Sequence, residues 1–241
     1  MINKAKPTPL YLQLTEMLKE QIVSGVLQPH DMLPSERELE QRYQISRMTA
    51  RHALAALETE GLVYRKQGRG SFVTEPKIKQ SVIKLTSFTE EMRSKRLKAG
   101  AKVLKIEVFS DDHELANKLE AALHEKFVLI QRLRTGNGKP IALETSILRR
   151  KFCPGIEHFD LNDQSLCKTL EQEYRVFCDH AEQTLEARRA NAFEARVLGI
   201  NEGEPVLYME RVTFIQQKAT PIEFVRYTYP GDQYKFYVEL E

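Results

Sequence analysis

The stretch Leu33–Thr74 leaves this chain the fewest ways to fold. Ser35 is followed three residues later by Glu38, the spacing of a capping box that satisfies two of the amides a helix start leaves open. Leu39 and Tyr43 fall one turn apart, so a short helix is expected from Ser35 to Arg42 or Tyr43. After Gln44 and Ile45, Ser46 offers a second N-cap. Met48, Ala53, Leu54 and Leu57 then make an apolar stripe, and Gly61 supplies a left-handed stop. Two amphipathic helices joined so closely form a helix-turn-helix, whose second helix enters the major groove of DNA through its N-terminal residues. Here those are Ser46, Arg47, Thr49, Ala50 and Arg51. An arginine suits guanine because two parallel N–H bonds match O6 and N7, and a threonine serves a phosphate or a base edge.

Leu62–Arg65 and Ser71–Thr74 alternate as two strands around Lys66, Gln67, Gly68, Arg69 and Gly70. A basic, glycine-bounded tip beside a recognition helix reads as a wing laid along the backbone or minor groove. Arginines on a helix are most often a solvated face, and each cue is weak alone. Their order within one small-domain length carries the reading. The expected DNA-binding residues are Ser35, Arg37, Ser46, Arg47, Thr49, Arg51, Lys66, Arg69 and Gly70, with Arg65 in the same basic cluster.

At 241 residues the chain has room for two domains. Its net charge of +2 averages a basic DNA-facing surface with a more acidic remainder, so it does not exclude nucleic acid. Cys153, Cys167 and Cys178 form no C-x-x-C pair and have no histidine at metal spacing, which points to a reducing compartment without disulfides or structural zinc. No apolar run has signal-peptide or membrane-spanning character, so a soluble cytoplasmic protein is expected. No catalytic residues, metal or cofactor are expected.

Residues 1–8 read as a disordered arm whose Lys4 and Lys6 lie near phosphate, and residues 9–24 as a first helix. His30 reads as an exposed turn residue. The winged domain is expected over 1–75, a linker over 76–83 and a second domain over 84–241. The second domain contains an internal repeat. Leu115–Leu123, Phe127–Arg132 and Lys139–Ile141 recur as Phe193–Ile200, Pro205–Arg211 and Thr220–Ile222, each copy led by a strand (Lys102–Phe109 and Ala181–Arg188). Two strand–helix–hairpin units predict an antiparallel sheet carrying helices, an α+β fold. A further helix is expected between the copies, over Asn162–Tyr174.

Arg132 and Arg134 are two apart in a strand and project together, a bidentate trap for phosphate or carboxylate. Ser87, Phe88, Thr89 and Glu90 again have capping-box spacing, and a helix start attracts anions through its free amides. Placed over the arginine strand, it makes a phosphate cradle. Glu144 and Glu223, one from each repeat, are suited to accept from sugar hydroxyls or an amine. The plainer alternative has Arg132 and Arg134 pairing with Glu144 across the hairpin on an exposed face.

The chain resembles the GntR family of bacterial repressors. Pro34–Leu39 matches P-S-E-R-x-L, Ser46–Leu54 matches S-R-x-T-x-R-x-A-L, and Gly68–Val73 matches G-x-G-(S/T)-F-V. Ala50 stands where many relatives have valine, a difference expected to bear on base choice. The rest is similar to the UTRA domain of the HutC branch, a chorismate-lyase-like fold. The match runs through Leu85–Glu90, Arg132-x-Arg134, Pro140–Ser146, Pro221–Glu223 and Tyr229–Phe236. The resemblance implies an effector-binding and dimerising second domain with Ser165 and Tyr229 as further polar walls. The effector residues expected are therefore Ser87, Phe88, Thr89, Arg132, Arg134, Glu144, Ser165, Glu223 and Tyr229. In overall look the chain is similar to repressors of amino-sugar use that sense glucosamine or N-acetylglucosamine 6-phosphate. It departs from them at Cys167, where they commonly have tyrosine, and at His180, where they have arginine; that histidine reads as a structural surface residue. The resemblance implies a homodimeric repressor on a palindromic operator, responding to a small anionic effector. Two alternatives stay open at this point: the same DNA-binding role with an amino-acid derivative, organic acid or fatty acid as effector, and a chorismate-lyase-like enzyme.

Overall fold

Two caps and two apolar stripes build the first part of the molecule. The computed structural model describes residues 2–4, 6–75, 77–81, 85–216 and 219–238, with backbone alone at 79–81. Two compact units divide at residues 76 and 77. In the first, α1 (Leu10–Val23), α2 (Glu36–Tyr43) and α3 (Arg47–Thr59) precede a hairpin of β1 (Val63–Lys66) and β2 (Gly70–Val73). Ser35 and Glu38 close the expected capping box on α2, and the Ser46 hydroxyl accepts from the Thr49 amide at the start of α3. Leu14, Leu18, Leu39, Leu54, Leu57, Val63 and Val73 form one core. The arm read as disordered is held to α1, since the Gln13 amide donates to the Asn3 and Thr8 carbonyls and accepts from the Asn3 amide.

The apolar stripe of α3 runs through Ala53, Leu54 and Leu57 as expected but begins at Ala50 and not at Met48. Met48 is 56 % exposed, while Ala50 is fully buried with Ala53, Leu54 and Leu57. These four sit at i, i+3, i+4 and i+7, the spacing of a helix's inward face. Ala50 therefore packs in the core and does not face DNA, which corrects the expectation that it bears on base choice by contact.

In the second unit β3 (Ile78–Ser81) and α4 (Phe88–Ser94) lead into β4 (Ala99–Phe109), α5 (His113–Lys118), β5 (Phe127–Gly136) and β6 (Lys139–Arg149). Then come α6 (Leu166–Tyr174), β7 (His180–Arg189), α7 (Ala192–Leu198), β8 (Pro205–Ile215), β9 (Thr220–Pro230) and β10 (Tyr234–Tyr237). Six strands form an antiparallel sheet in the order β4-β5-β6-β9-β8-β7. The fold is α+β. Within the run expected as a linker, β3 is ordered as a strand and pairs in parallel with β10; residues 76, 82 and 83 of that run lie outside the described residues. The expected helix from Asn162 starts later, at the Ser165 cap, because the Asn162 and Asp163 side chains instead accept from the Val103 and Ala101 amides of edge strand β4. The helix expected over Leu115–Leu123 ends at Lys118.

The internal repeat sets the symmetry of this unit. Arg132 and Arg211, on the first strands of the two hairpins, are 79 positions apart, and Ile141 and Ile222, on the second strands, are 81 apart, as are Thr145 and Arg226. Thr145 and Arg226 are also register partners on the central strands, so an approximate two-fold axis passes between them. The helices α4 and α6 pack on one face of the sheet, over Val225 and Tyr227 and over Ile130 and Leu148 respectively. The helices α5 and α7 pack on the other, over Ile147 and Phe224 and over Val206.

Candidate functional site

The winged unit presents its cations at the surface. Arg37, Arg47, Arg51, Lys66 and Arg69 are exposed, and Ser35, Arg37, Arg47, Lys66 and Gly70 line one cleft between the start of α2 and the wing. Ser46, Thr49, Arg51 and Arg69 lie outside that cleft. The Ser35 and Ser46 hydroxyls are committed to helix ends, and the Thr49 hydroxyl lies 2.9 Å from that of Ser46. The nearby charge of Arg47 is shared with Glu36 at 3.2 Å, an exposed pair of little strength that a phosphate can displace. Arg65 pairs with Glu58 at 3.1 Å and so ties the wing to the end of α3. Lys66 lies over the Tyr64 and Phe72 rings at about 5.5 Å, which holds its ammonium at the wing base. Gly70 has φ +116°, a conformation strained for any other residue, so the tip closes there.

In the second unit, residues that are far apart in sequence surround one cavity of about 260 Å³. Ser87, Phe88, Thr89, Arg132, Arg134, Glu144, Ser165 and Glu223 all line it, eight of the nine residues expected there. Tyr229 does not. It shares a strand face with Tyr227 but lies two residues further along, stacked on Tyr227 at 5.6 Å and on Tyr234 at 4.1 Å. Tyr227 takes the wall position, donating to Glu144 Oε1 at 2.5 Å.

The plainer alternative is half right. Arg132 and Glu144 are cross-strand partners, and both arginines bond Glu144 Oε2, at 2.7 Å from Arg132 Nη2 and 3.2 Å from Arg134 Nη1. The face is not exposed, however: Arg132, Arg134 and Glu144 are 1, 2 and 3 % accessible. Burial alone would raise the Glu144 carboxyl, but the two guanidinium charges overcome it and hold the group at about 2. One carboxylate thus serves two buried cations. Arg134 Nε is buried with no hydrogen-bond partner, and the Arg134 guanidinium stacks 4.4 Å from the Phe88 ring centroid.

Glu223 behaves oppositely. Burial, with the Glu144 charge added, pushes its carboxyl up, against the pull of Arg211 and of hydrogen bonds from the Ser146 and Thr213 hydroxyls. The start of α4 is partly spent: Glu90 accepts from the Ser87 amide and hydroxyl, while the Glu90 amide donates to Ser87 Oγ. Among the described residues, the amides of Phe88 and Thr89 are left as the open donors of that helix start. On the far wall, burial and then Glu171 push the Cys167 thiol up to about 12, so it stays protonated and unreactive. The pocket therefore carries two guanidiniums at the Arg134 end, and a single one, Arg211, among hydroxyl groups at the other. No group of His, Cys, Asp and Glu among the described residues is arranged to hold a metal ion.

Two family models match the chain: the UTRA domain over residues 94–235, and the bacterial regulatory proteins of the gntR family over residues 10–73. The chain belongs to the GntR family. This GntR regulator is 39 % identical to the HTH-type transcriptional repressor NagR of Bacillus subtilis, over 98 % of its own length and 96 % of that protein. It is 29 % identical to the histidine utilization repressor of Klebsiella aerogenes, over 96 % and 95 %. The crystal structure of PhnF from Mycobacterium smegmatis matches with a TM-score of 0.68 at 27 % identity, covering 94 % of this chain and 98 % of that one. It is a ligand-responsive, HutC-type transcriptional repressor with a winged DNA-binding part and a UTRA part, and its relatives are regulators rather than enzymes. No helix among the described residues is long and apolar enough to cross a membrane.

Sequence reasoning missed Tyr227, Arg211, Thr213, Cys178 and Glu171 as pocket residues of the regulator. Arg211 was within reach, since it ends the repeated segment Pro205–Arg211 as Arg132 ends Phe127–Arg132. Tyr227 needed the register of β6 on β9, which places it opposite Glu144. His180 lies outside the cavity; its ring rests 5.7 Å from that of Phe214 with Nε2 buried and unpartnered.

Proposed function

We propose that this repressor senses a small phosphorylated sugar, of the kind represented by glucosamine 6-phosphate or N-acetylglucosamine 6-phosphate. The observation that carries the reading is the pair of buried arginines sharing one carboxylate, with Arg134 Nε unpartnered at the wall of a sugar-sized cavity. A buried surplus cation is costly until an anion arrives, and a phosphate supplies three acceptor oxygens. The Phe88 and Thr89 amides add donors on the same side, and Glu144, Glu223 and Ser165 offer acceptors and hydroxyl to the ring. Resemblance to amino-sugar repressors supports the same choice.

The operator is read by the start of α3 through Arg47 and Arg51, with Lys66 and Arg69 on the backbone beside it. Two copies of the chain bind a palindromic site as a homodimer in the cytoplasm, because one winged unit makes few base contacts and a two-fold protein matches a two-fold operator. The effector acts on α4, the first helix after the strand that follows the winged unit, and only through its different affinity for two arrangements.

Calorimetry and operator gel shifts on the parent and on Arg134→Ala test this. A phosphosugar should bind the parent and alter operator affinity, while Arg134→Ala keeps operator binding and loses the response. An unchanged response in Arg134→Ala would refute the cradle; binding only of an organic acid, fatty acid or amino-acid derivative would replace the effector class.

A further inference from the structure

The effector pocket is built twice. Its axis runs near Thr145 and Arg226, and each repeat contributes a capped helix and a strand arginine to the one cavity. The first gives the Ser87-capped helix and Arg132, which stands opposite Glu144. The second gives the Ser165-capped helix and Arg211, which stands opposite the uncharged Val225. The halves differ where it matters for charge. Arg134 in the first half corresponds to Thr213 in the second, so two guanidiniums face one end and a single guanidinium the other.

Arg211 is the group without an assigned task. It lines the cavity, is half-buried, and has no ion-pair partner among the described residues. Its Nε and Nη2 donate to the neutral Gln183 side chain at 3.1 and 2.9 Å. Glu144 neutralises its cross-strand arginine at 2.7 Å, but Arg211 has Val225 across the strand, and Glu223 stands opposite Thr213 and bonds Ser146 and Thr213. Arg211 Nη2 also lies 3.7 Å from Met209 Sδ. A guanidinium held by uncharged groups keeps its charge available to the cavity, and its donors prefer a carbonyl or carboxylate oxygen while repelling an ammonium.

We infer that Arg211 is the second anchor of the effector pocket and selects ligands carrying an oxygen acceptor, such as an acylamino carbonyl or a carboxylate, at the end away from the phosphate. This rests on the phosphosugar reading and narrows it to acylated or acidic sugars over free amines. Arg211 is thus a specificity-determining residue.

Three probes share a phosphate and a hexose ring and differ at one substituent: glucose 6-phosphate, glucosamine 6-phosphate and N-acetylglucosamine 6-phosphate. Calorimetry on the full chain should show the acylated probe binding the parent at least about tenfold tighter than the amine. Arg211→Gln should bring that ratio close to one while leaving glucose 6-phosphate within about twofold. Arg211→Lys should restore part of the ratio, since it keeps the charge but loses the fork. It also carries the test should Arg211→Gln fail to fold. Arg134→Ala, by contrast, should weaken all three probes alike. Equal loss of all three in Arg211→Gln, or a parent that prefers the amine, overturns the assignment of Arg211 and leaves the phosphosugar reading standing. Failure of every probe to bind the parent overturns both.

Discussion

Glu144 and Glu223 line one pocket from adjacent central strands, and their surroundings push their carboxyls in opposite directions. Glu144 is needed as an anion, because without it Arg132 and Arg134 are both left buried and uncompensated. Glu144→Gln should therefore destabilise the UTRA part by about 3–5 kcal/mol, measured by urea unfolding at neutral pH. The pH dependence follows with a definite sign. A carboxyl held at about 2 against an ordinary 4.5 stabilises the fold fully above 4.5, and that contribution is lost as pH falls from 4.5 through 2. Unfolding midpoints of the parent should fall across that window, and those of Glu144→Gln should fall less. Glu223→Gln imitates the protonated form that burial already favours. It should stay within about 1 kcal/mol of the parent at pH 7, and a loss comparable to that of Glu144→Gln would mean that Glu223 is held as an anion. At this scale the partners could be read from residue spacing, because Arg132 and Glu144 fall opposite each other in a short hairpin. Their burial could not, since charged residues two apart on a strand look the same whether α4 and α6 cover them or not.

Among the elements, α3 shows how much depends on helical phase. Its caps and its length were legible because Ser46 and Gly61 act locally. Its inward face was legible at Ala53, Leu54 and Leu57 and misassigned only at its first position, because Met48 and Ala50 are both apolar and only the packing of α1 and α2 decides between them. The outward face then holds Arg47, Met48 and Arg51. Arg47→Ala and Arg51→Ala should each weaken operator binding by about 1–3 kcal/mol if they meet a base, or flatten the salt dependence by about one unit of slope if they meet phosphate. Effector affinity should be unaltered in both. Equal loss of operator and effector binding would show that the two parts do not act as separate modules. In β9 the lesson is register: residues 223, 225, 227 and 229 share one face, so alternation alone cannot tell that Tyr227 reaches the cavity and Tyr229 the Tyr234 stack.

Over the whole molecule, regulation is a coupling between effector and operator, and it must be reciprocal. If a phosphosugar lowers operator affinity by some factor, saturating operator DNA should lower phosphosugar affinity by the same factor, as titrations in each order will reveal. Sedimentation should give a dimer, with a footprint of two half-sites one helical turn or a multiple apart; a single half-site footprint would count against two-fold binding. The repeat in the second half was the long-range signal that the sequence did carry, and it located the hairpins that frame the pocket. What it lacked was the order β6-β9 at the centre of the sheet, which brings the two copies face to face.

The pairing of β3 with β10 joins segments whose partners, Ile78 and Tyr234, lie 156 positions apart. Lys77 Nζ donates to the Gly231 carbonyl and Ile78 N to the Gln233 carbonyl, so the same late segment holds the approach to that strand. During synthesis the helices and wing emerge long before β10 exists. A nascent chain can thus display a finished reading head while the segment behind it is still untethered. Ribosome-bound chains halted before residue 234 should show a protease-resistant winged unit yet ignore the metabolite.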